Sequence, residues 1–404
     1  MGGSCTSLCH PPRLRVKEKI CPLETILPVQ TASDQHAFYN FAWRVYRDDT
    51  NWVPHLWPQR RAYLNRKTAF FSYGEGEFWL ARRGREVVGT IGTAIDYSRN
   101  HHRNEQAALF GFFEVLPGDY DAAKALWDHA CGWAYRHGMT KLYGPYSFAG
   151  NDDPGFLVEG FECPPCIMMG HNPPCYSEYA ERFGFELLNE GLAYRYELSQ
   201  INYDIANAPE LLYRIAERAR DHHGASVVRT PKLVNWDIEI ERLHPVYNRS
   251  LAVLPEFSPI ELVEFRSQAE SIKPILDPEL VFIAEIDGKV VGFALGLPNI
   301  MEALIHANGL RYPWDYLRLA RARRNIRSAS FKILAIDPAY WGHGLEVIMF
   351  LEMGKKLIEK GYIWADASLT NALNRQTNKL ATRFGAKVYR RYHEYQIRLT
   401  TPFW

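Results

Sequence analysis

Apolar residues recur at helical spacing over 33–47, where Phe38, Phe41, Ala42 and Val45 share one face. Period-two runs then predict strands at 78–82 and 87–96, joined by a turn at Gly84, and a third strand at 108–116. Residues 119–137 read as a helix with Leu126, Ala130, Trp133 and Ala134 on one side and Gly138 as its stop. A strand at 142–147, a long loop at 148–175, a helix at 176–183 and a strand at 190–198 complete this stretch. The pattern then starts again. Helices are predicted at 208–222 and 235–252, with a strand at 226–230 between them. Strands 281–286 and 290–297 flank Asp287-Gly288, a strong hairpin signal. After them come a helical insertion at 300–327, a strand at 331–336, a helix at 343–360, a strand at 363–367, a helix at 374–384 and a strand at 388–398.

The recurrence extends to the letters. Residues 79–89 and 282–292 align with Ala81 on Ala284 and Val87-Val88-Gly89 on Val290-Val291-Gly292, at one constant separation. Downstream, Ala180 to Gly184 aligns with Ala381 to Gly385, and Tyr194 with Tyr395, at nearly the same separation. Two echoes in the same order imply two copies of one unit. The expected organisation is a tail at 1–22, a first unit at 23–200 and a second at 201–404. The second copy gains about 20 residues after its hairpin, and the first gains about 22 around Cys163-Pro-Pro-Cys166. Such inserts often line functional clefts.

Composition bounds the function classes. Apolar content of 47% and charged content of 23% are globular values. With 47 basic and 46 acidic residues, the chain has no global field to recruit nucleic acid or an anionic membrane, so neither is expected as a partner. No apolar run approaches the roughly 20 residues that span a bilayer. The N-terminal stretch has cysteines and basic residues but no apolar signal core, so the expected location is the cytoplasm. The Cys163-x-x-Cys166 spacing, with His171 and Cys175 nearby, lacks the second ligand pair of a zinc site; it reads as a Pro-rich loop, and no metal is expected.

One segment carries chemistry. Residues 333–345 read strand, turn, helix, with Gly342 and Gly344 at the helix start. Glycine lets backbone approach a ligand closely, and the free amides at the positive end of a helix suit a phosphate or pyrophosphate.

This order of hairpin, strand, Gly-x-Gly helix, strand, Asn374 and a short helix ending before Gly385 resembles the GNAT acyltransferase superfamily, over about 281–399. The first copy matches in order but less in motif, and the pair resembles bacterial tandem-GNAT proteins. The resemblance implies an α/β fold of two tandem GNAT-like domains, each a mixed, mostly antiparallel twisted sheet flanked by helices. It implies acetyl-CoA or another acyl-CoA held by Ile336, Gly342, His343, Gly344, Leu345 and Asn374. Two positions depart from the pattern: the usual Arg or Gln falls on Ala339, and the usual helix Tyr on Ala381. In the first copy Asp119 and Asp121 occupy the phosphate loop and would repel a pyrophosphate, which places the cofactor in the second copy.

Acyl transfer to an amine needs a proton acceptor and an N–H donor for the oxyanion. Glu302 and His306, spaced i, i+4 in the insertion, are the candidate base pair, and Tyr395 (with Tyr389 and Tyr392) the candidate acid. Asn299, Asn308, Asn151, Asp152 and His171 are candidate contacts to a small-molecule amine or an aminoacyl acceptor in a cleft between the units. The expected function is acyl-CoA-dependent N-acyl transfer; the alternative is a non-catalytic ligand-binding protein with degenerate domains. A third, tRNA-dependent reading would use Arg318, Arg321, Arg323, Arg324 and Arg327, which otherwise read as a solvated helix face.

Overall fold

The computed structural model describes residues 25–148, 154–223, 228–253, 257 and 259–400. The first half contains β1 (Thr25–Pro28), α1 (Ala32–Val45), α2 (Trp57–Leu64), β2 (Gly74–Arg83), β3 (Glu86–Asp96) and α3 (Tyr97–Arg103). It continues with β4 (Ala107–Val115), α4 (Tyr120–Arg136), β5 (Lys141–Gly144), β6 (Phe156–Glu159), α5 (Cys175–Phe183) and β7 (Glu186–Glu197). The second half opens with α6 (Glu210–His223), β8 (Val228–Arg229), α7 (Trp236–Leu251), α8 (Leu262–Ile272), β9 (Val281–Ile286) and β10 (Lys289–Pro298). After α9 (Met301–Leu304) and α10 (Pro313–Ala322) come β11 (Ser328–Ile336), α11 (Leu345–Glu359), β12 (Trp364–Asn371), α12 (Arg375–Arg383) and β13 (Lys387–Arg398).

Local chemistry explains the boundaries. Thr31 Oγ1 accepts the Asp34 amide at 3.1 Å while the Asp34 carboxylate accepts the Thr31 amide at 3.0 Å, a reciprocal cap that starts α1. Asp287 and Gly288 both take positive φ, the geometry that a two-residue hairpin turn between β9 and β10 requires. The stretch 148–175, expected to be loop, holds β6, which pairs with β13 through Leu157 and Tyr392. A four-residue strand is too short to show a period.

Among the described residues the strands join one sheet in the order β1-β2-β3-β4-β5-β13-β7-β12-β11-β10-β9-β8, with β6 paired to β13 off this path. Its two parallel pairs are β4 with β5 and β11 with β12. The halves exchange their last strands. Strand β7 of the first half bonds to β12 of the second, from Glu197 opposite Trp364 to Gly191 opposite Asn371. Strand β13 of the second half bonds to β5 of the first, with Tyr395 opposite Gly144. The two exchanged strands pair with each other at the centre. Each half has its own main core, with Tyr395 of the exchanged β13 lent to the first. In the first, α4 packs Leu126, Trp127 and Ala130 onto Phe110 and Phe113; in the second, α11 packs Met349, Met353 and Leu357 onto Phe282 and Ala294.

Candidate active site

Strand β11 and its parallel neighbour β12 stay in register from Ser328 opposite Trp364 to Phe331 opposite Ala367, then part. On the other side β11 remains bonded to β10 as far as Ile336. Among the described residues no strand pairs with Lys332–Ile336 on the opened side. That edge leads into the turn before α11. Trp341 Nε1 donates to the Ile336 carbonyl at 2.9 Å, and Asp337 accepts from the Ala339 amide at 3.1 Å and from Arg249 Nε at 2.7 Å. Gly342 and Gly344 both have positive φ, and Gly344 is the N-cap residue of α11. A Cβ at Gly342 would meet open space, whereas one at Gly344 would lie 2.8 Å from Ile215 Cγ2 of α6. So Gly344 serves close helix packing, while Gly342 and His343 face outward. The Val347 amide donates to the Gly344 carbonyl at 3.1 Å, while Leu345 and Glu346 before it have no preceding carbonyl of their own helix, which is the chemistry that suits an anion.

Where the strands part, a buried polar cluster closes the vertex. Asp366 on β12 is fully buried. Its Oδ1 accepts from the Tyr389 hydroxyl at 2.9 Å; its Oδ2 accepts from Ser368 Oγ at 2.6 Å and from Ser330 Oγ. Lys332 Nζ, on the first parted residue of β11, lies 3.4 Å from the same oxygen and 2.8 Å from Ser368 Oγ. A buried carboxylate is tolerable because its charge is matched and its lone pairs are filled. Burial, followed by the Asp366 charge, pushes the Tyr389 phenol well above its ordinary range, so it stays protonated. The Cys163–Cys166 loop forms the lid of this cluster: Tyr389 reaches Cys166 Sγ at 3.5 Å, and Met169 Sδ lies 3.2 Å from Ser368 Oγ. Neither Cys163 nor Cys166 is in a disulfide.

The first half is built alike and closed. Its parallel pair β4 and β5 parts after Leu109, but the Tyr146 amide donates to the Phe110 carbonyl at 2.8 Å and the Val115 amide to the Tyr176 hydroxyl at 2.8 Å. At the turn before α4, the Gly118 amide donates to Tyr179 OH at 2.7 Å, and Asp119 caps the helix while pairing with Arg83 at 2.8 Å. The edge is met here by the Tyr146 backbone amide and the Tyr176 hydroxyl, and the turn by the Tyr179 hydroxyl, where the second half has no such partner among the described residues.

A second polar cluster lies on this closed side. Glu114 is buried on β4, with Tyr46 OH at 2.9 Å, Tyr176 OH at 3.1 Å and His55 Nε2 at 3.4 Å. Burial lifts its carboxyl from an ordinary 4.5 to about 7, against the pull of both tyrosines. The hydrogen-bond inventory agrees. Each tyrosine has one hydroxyl proton and a carbonyl within reach, His171 O for Tyr46 at 3.0 Å and Val115 O for Tyr176 at 2.7 Å. One proton cannot serve both, so neither tyrosine gives its hydroxyl wholly to Glu114.

No protein-family model matches the chain. The chain is 26% identical over 381 residues to a bacterial ceramide synthase of Caulobacter vibrioides, covering 92% of this chain and 97% of that protein. It is 25% identical to protein YghO of Escherichia coli, covering 90% of this chain and 93% of that one. Among solved structures, a tandem GNAT protein from the clavulanic acid biosynthesis pathway superposes with a TM-score of 0.56 at 14% identity, over 94% of this chain and 99% of that one. This chain has a tandem GNAT fold. A GCN5-related N-acetyltransferase from Sphaerobacter thermophilus gives a TM-score of 0.50 at 12% identity, over 93% and 96% of the two chains.

Within that GNAT frame the predicted residues separate into groups. Ile336, Gly342, His343, Gly344 and Leu345 lie together at the end of β11 and the start of α11. Asn374 is the N-cap of α12, its side chain accepting the Thr377 amide at 3.2 Å. Glu302 and His306 do not form a pair. The helix they were placed on, α9, is four residues long, and Glu302 gives its two oxygens to the Arg327 amide at 2.7 Å and to Ser328 Oγ, anchoring the start of β11. His306 is exposed. Asn299 is buried and also bonds Ser328 Oγ, at 3.0 Å. Asn308 accepts from Trp43 Nε1 at 3.2 Å and ties the insertion to the first half. Tyr395 is in the wrong half for the role expected of it: the exchanged strand buries it in the first core, beside Phe156, with its hydroxyl 3.1 Å from Glu181. Tyr389, on the same strand, is the tyrosine at the vertex. His171 joins the Glu114 side, bonded to Asp49 at 2.7 Å, and burial lowers its pKa against that carboxylate. Asn151 and Asp152 lie outside the described residues.

Sequence reading passed over Glu114, Lys332 and Asp366. Each is a charged residue inside a strand otherwise built of small and apolar residues, as in Phe112-Phe113-Glu114-Val115. A charge at a core position is the one available signal.

Proposed function

We propose that this protein is an N-acyltransferase that moves a fatty acyl group from a coenzyme A thioester to the amine of a long-chain amino alcohol. The observation that carries the reading is the open β11 edge, Lys332 to Ile336, running into the Gly342–Gly344 turn. Acyl-CoA would lay its pyrophosphate on the α11 amides and its pantetheine arm along that edge. The first half, with both features closed, would shape the acceptor side. In the reaction the amine nitrogen attacks the thioester carbonyl, the C–N bond forms and the C–S bond breaks. Tyr389, kept neutral, would protonate the departing thiolate, with Asp366 orienting it. Glu114, poised near neutrality, would receive the amine proton by relay on the first-half side with His55, since β5, β13, β7 and β12 separate β4 from β11.

The acceptor class rests on the relative named as a bacterial ceramide synthase. A ceramide is the amide of a fatty acid and a long-chain amino alcohol, so the same chemistry on a like chain gives this substrate pair. The test is incubation with palmitoyl-CoA or acetyl-CoA, with and without sphinganine, following free thiol and the amide mass. Amine-dependent thiol release with a matching amide supports the reading. Thiol release that ignores the amine, or none with either donor, removes it.

A further inference from the structure

The insertion at α10 is not used by the acyl-transfer chemistry, and its exposed face gathers aromatic, apolar and basic side chains. Asp315, Leu319 and Ala322 turn inward, Asp315 fully buried and Leu319 and Ala322 packed beside Ile300 and Leu304. Asp315 accepts the Tyr312 amide at 3.0 Å and Arg318 at 3.3 Å, which fixes the helix start. The opposite face is a ridge of Pro313, Leu317 and Ala320 in the helical register. Leu317 is 74% exposed, with Trp314 at 53% and Tyr316 at 50% beside it. Tyr312 stacks on Trp314, ring centres 4.8 Å apart. Arg321 and Arg324 flank the ridge, and Arg323 and Arg327 follow. The one acid in the whole segment 312–327 is the buried Asp315.

A groove of about 480 Å³ opens beside this ridge, walled by Trp57, Pro58, Leu310 and Tyr316 with Arg61 and Arg311 alongside. It is lined from both halves, by Trp57, Pro58 and Arg61 of the first and by residues 310–313 and 316 of the second. Aromatic rings and a leucine standing in water are unfavourable unless something covers them. Arginines around an apolar ridge match the layering of a bilayer surface, where anionic headgroups surround the acyl region. Nucleic acid would pair with the arginines and stack on the rings, but it offers nothing to Leu317, Pro313 and Ala320 at the crest.

We propose that α10 and its flanks are a peripheral docking surface for an anionic phospholipid bilayer, with Trp314 and Leu317 entering the interface and Arg321 and Arg324 on the headgroups. The contact is one of surface seating: among the described residues no helix is long and apolar enough to cross a membrane. The near-zero net charge, which predicted no membrane partner, averages away this local cluster.

The experiment is co-sedimentation of the full chain with vesicles of phosphatidylcholine, with and without one-third phosphatidylglycerol, at low and high salt. Binding to the anionic vesicles alone, lost in high salt, is expected. Arg321→Glu with Arg324→Glu should lower it at least tenfold, since each cation near a charged surface contributes about fivefold. Trp314→Ala with Leu317→Ser should lower it as much while keeping the wild-type melting curve. These side chains are exposed, so both variants fold, and melting curves check it. The proposal is overturned if the wild type stays in the supernatant, if both variants bind undiminished, or if a single-stranded RNA binds more tightly and is lost through the same variants. No acyl donor or acceptor is present, so failure here leaves the acyltransferase reading untouched.

Discussion

The Glu114 carboxylate lies 3.4 Å from His55 Nε2, and the two differ in access: Glu114 is buried between two tyrosines, while the His55 side chain is 30% exposed. A buried acid touching a partly wet imidazole is a route for a proton between the interior and solvent. Activity is therefore expected to rise with pH through about 7, where Glu114 loses its proton. Glu114→Gln should remove that limb and lower kcat on the order of 100-fold. The pH–rate profile of both proteins checks this; an unchanged limb in the variant would assign it to another group.

The same carboxyl makes a stability prediction of defined sign. Its folded pKa lies above its unfolded one, so the folded state holds the extra proton between 4.5 and about 7. Stability is greatest below that window and falls as pH rises through it, by up to about 3 kcal/mol. Glu114→Gln should flatten this slope, measured by urea unfolding across the window.

At the vertex, Asp366 and Lys332 should not be equivalent. Asp366→Asn removes the charge that balances a buried ammonium, and a cost of about 3–5 kcal/mol is expected. Lys332→Met leaves Asp366 the hydroxyls of Ser330, Ser368 and Tyr389, and should cost less. Equal midpoints in chemical denaturation would show that the lysine, not the hydroxyl set, holds the carboxylate.

His343→Glu places a negative charge at the exposed turn before α11 without touching the packing of Gly344 on α6. Acyl-CoA binding should weaken about tenfold, as a dipole-end anion site loses to a like charge. Calorimetric titration measures this, with an unchanged melting temperature as the control. Gly344 is a poor choice for the same test, because any side chain there collides with Ile215.

Much of this was legible in the letters. The repeated Val-Val-Gly and Arg-Phe-Gly segments announced two copies, and the Gly342-x-Gly344 turn stands at the helix start they implied. The partner of each strand was not legible. A period-two pattern says which face of β13 is apolar, but not which sheet receives it. So position in the chain points to the second half for Tyr395, whereas its place opposite Gly144 puts it in the first. Glu302 failed for a related reason. Its i, i+4 spacing to His306 was real, yet the carboxylate found the Arg327 amide and Ser328 hydroxyl, which no spacing rule sees.

The exchange of β7 and β13 also sets the order in which this protein can be made. A duplicated domain ordinarily finishes its first copy while the ribosome is still reading the second. Here β5 waits for its native partner until residues 387–398 emerge, after β8 to β12 have been made. The nascent first half carries an incomplete sheet through the translation of the entire second half. A bare strand edge is a site for association between chains, so this protein should depend on chaperones during its synthesis more than two independent GNAT units of the same length would.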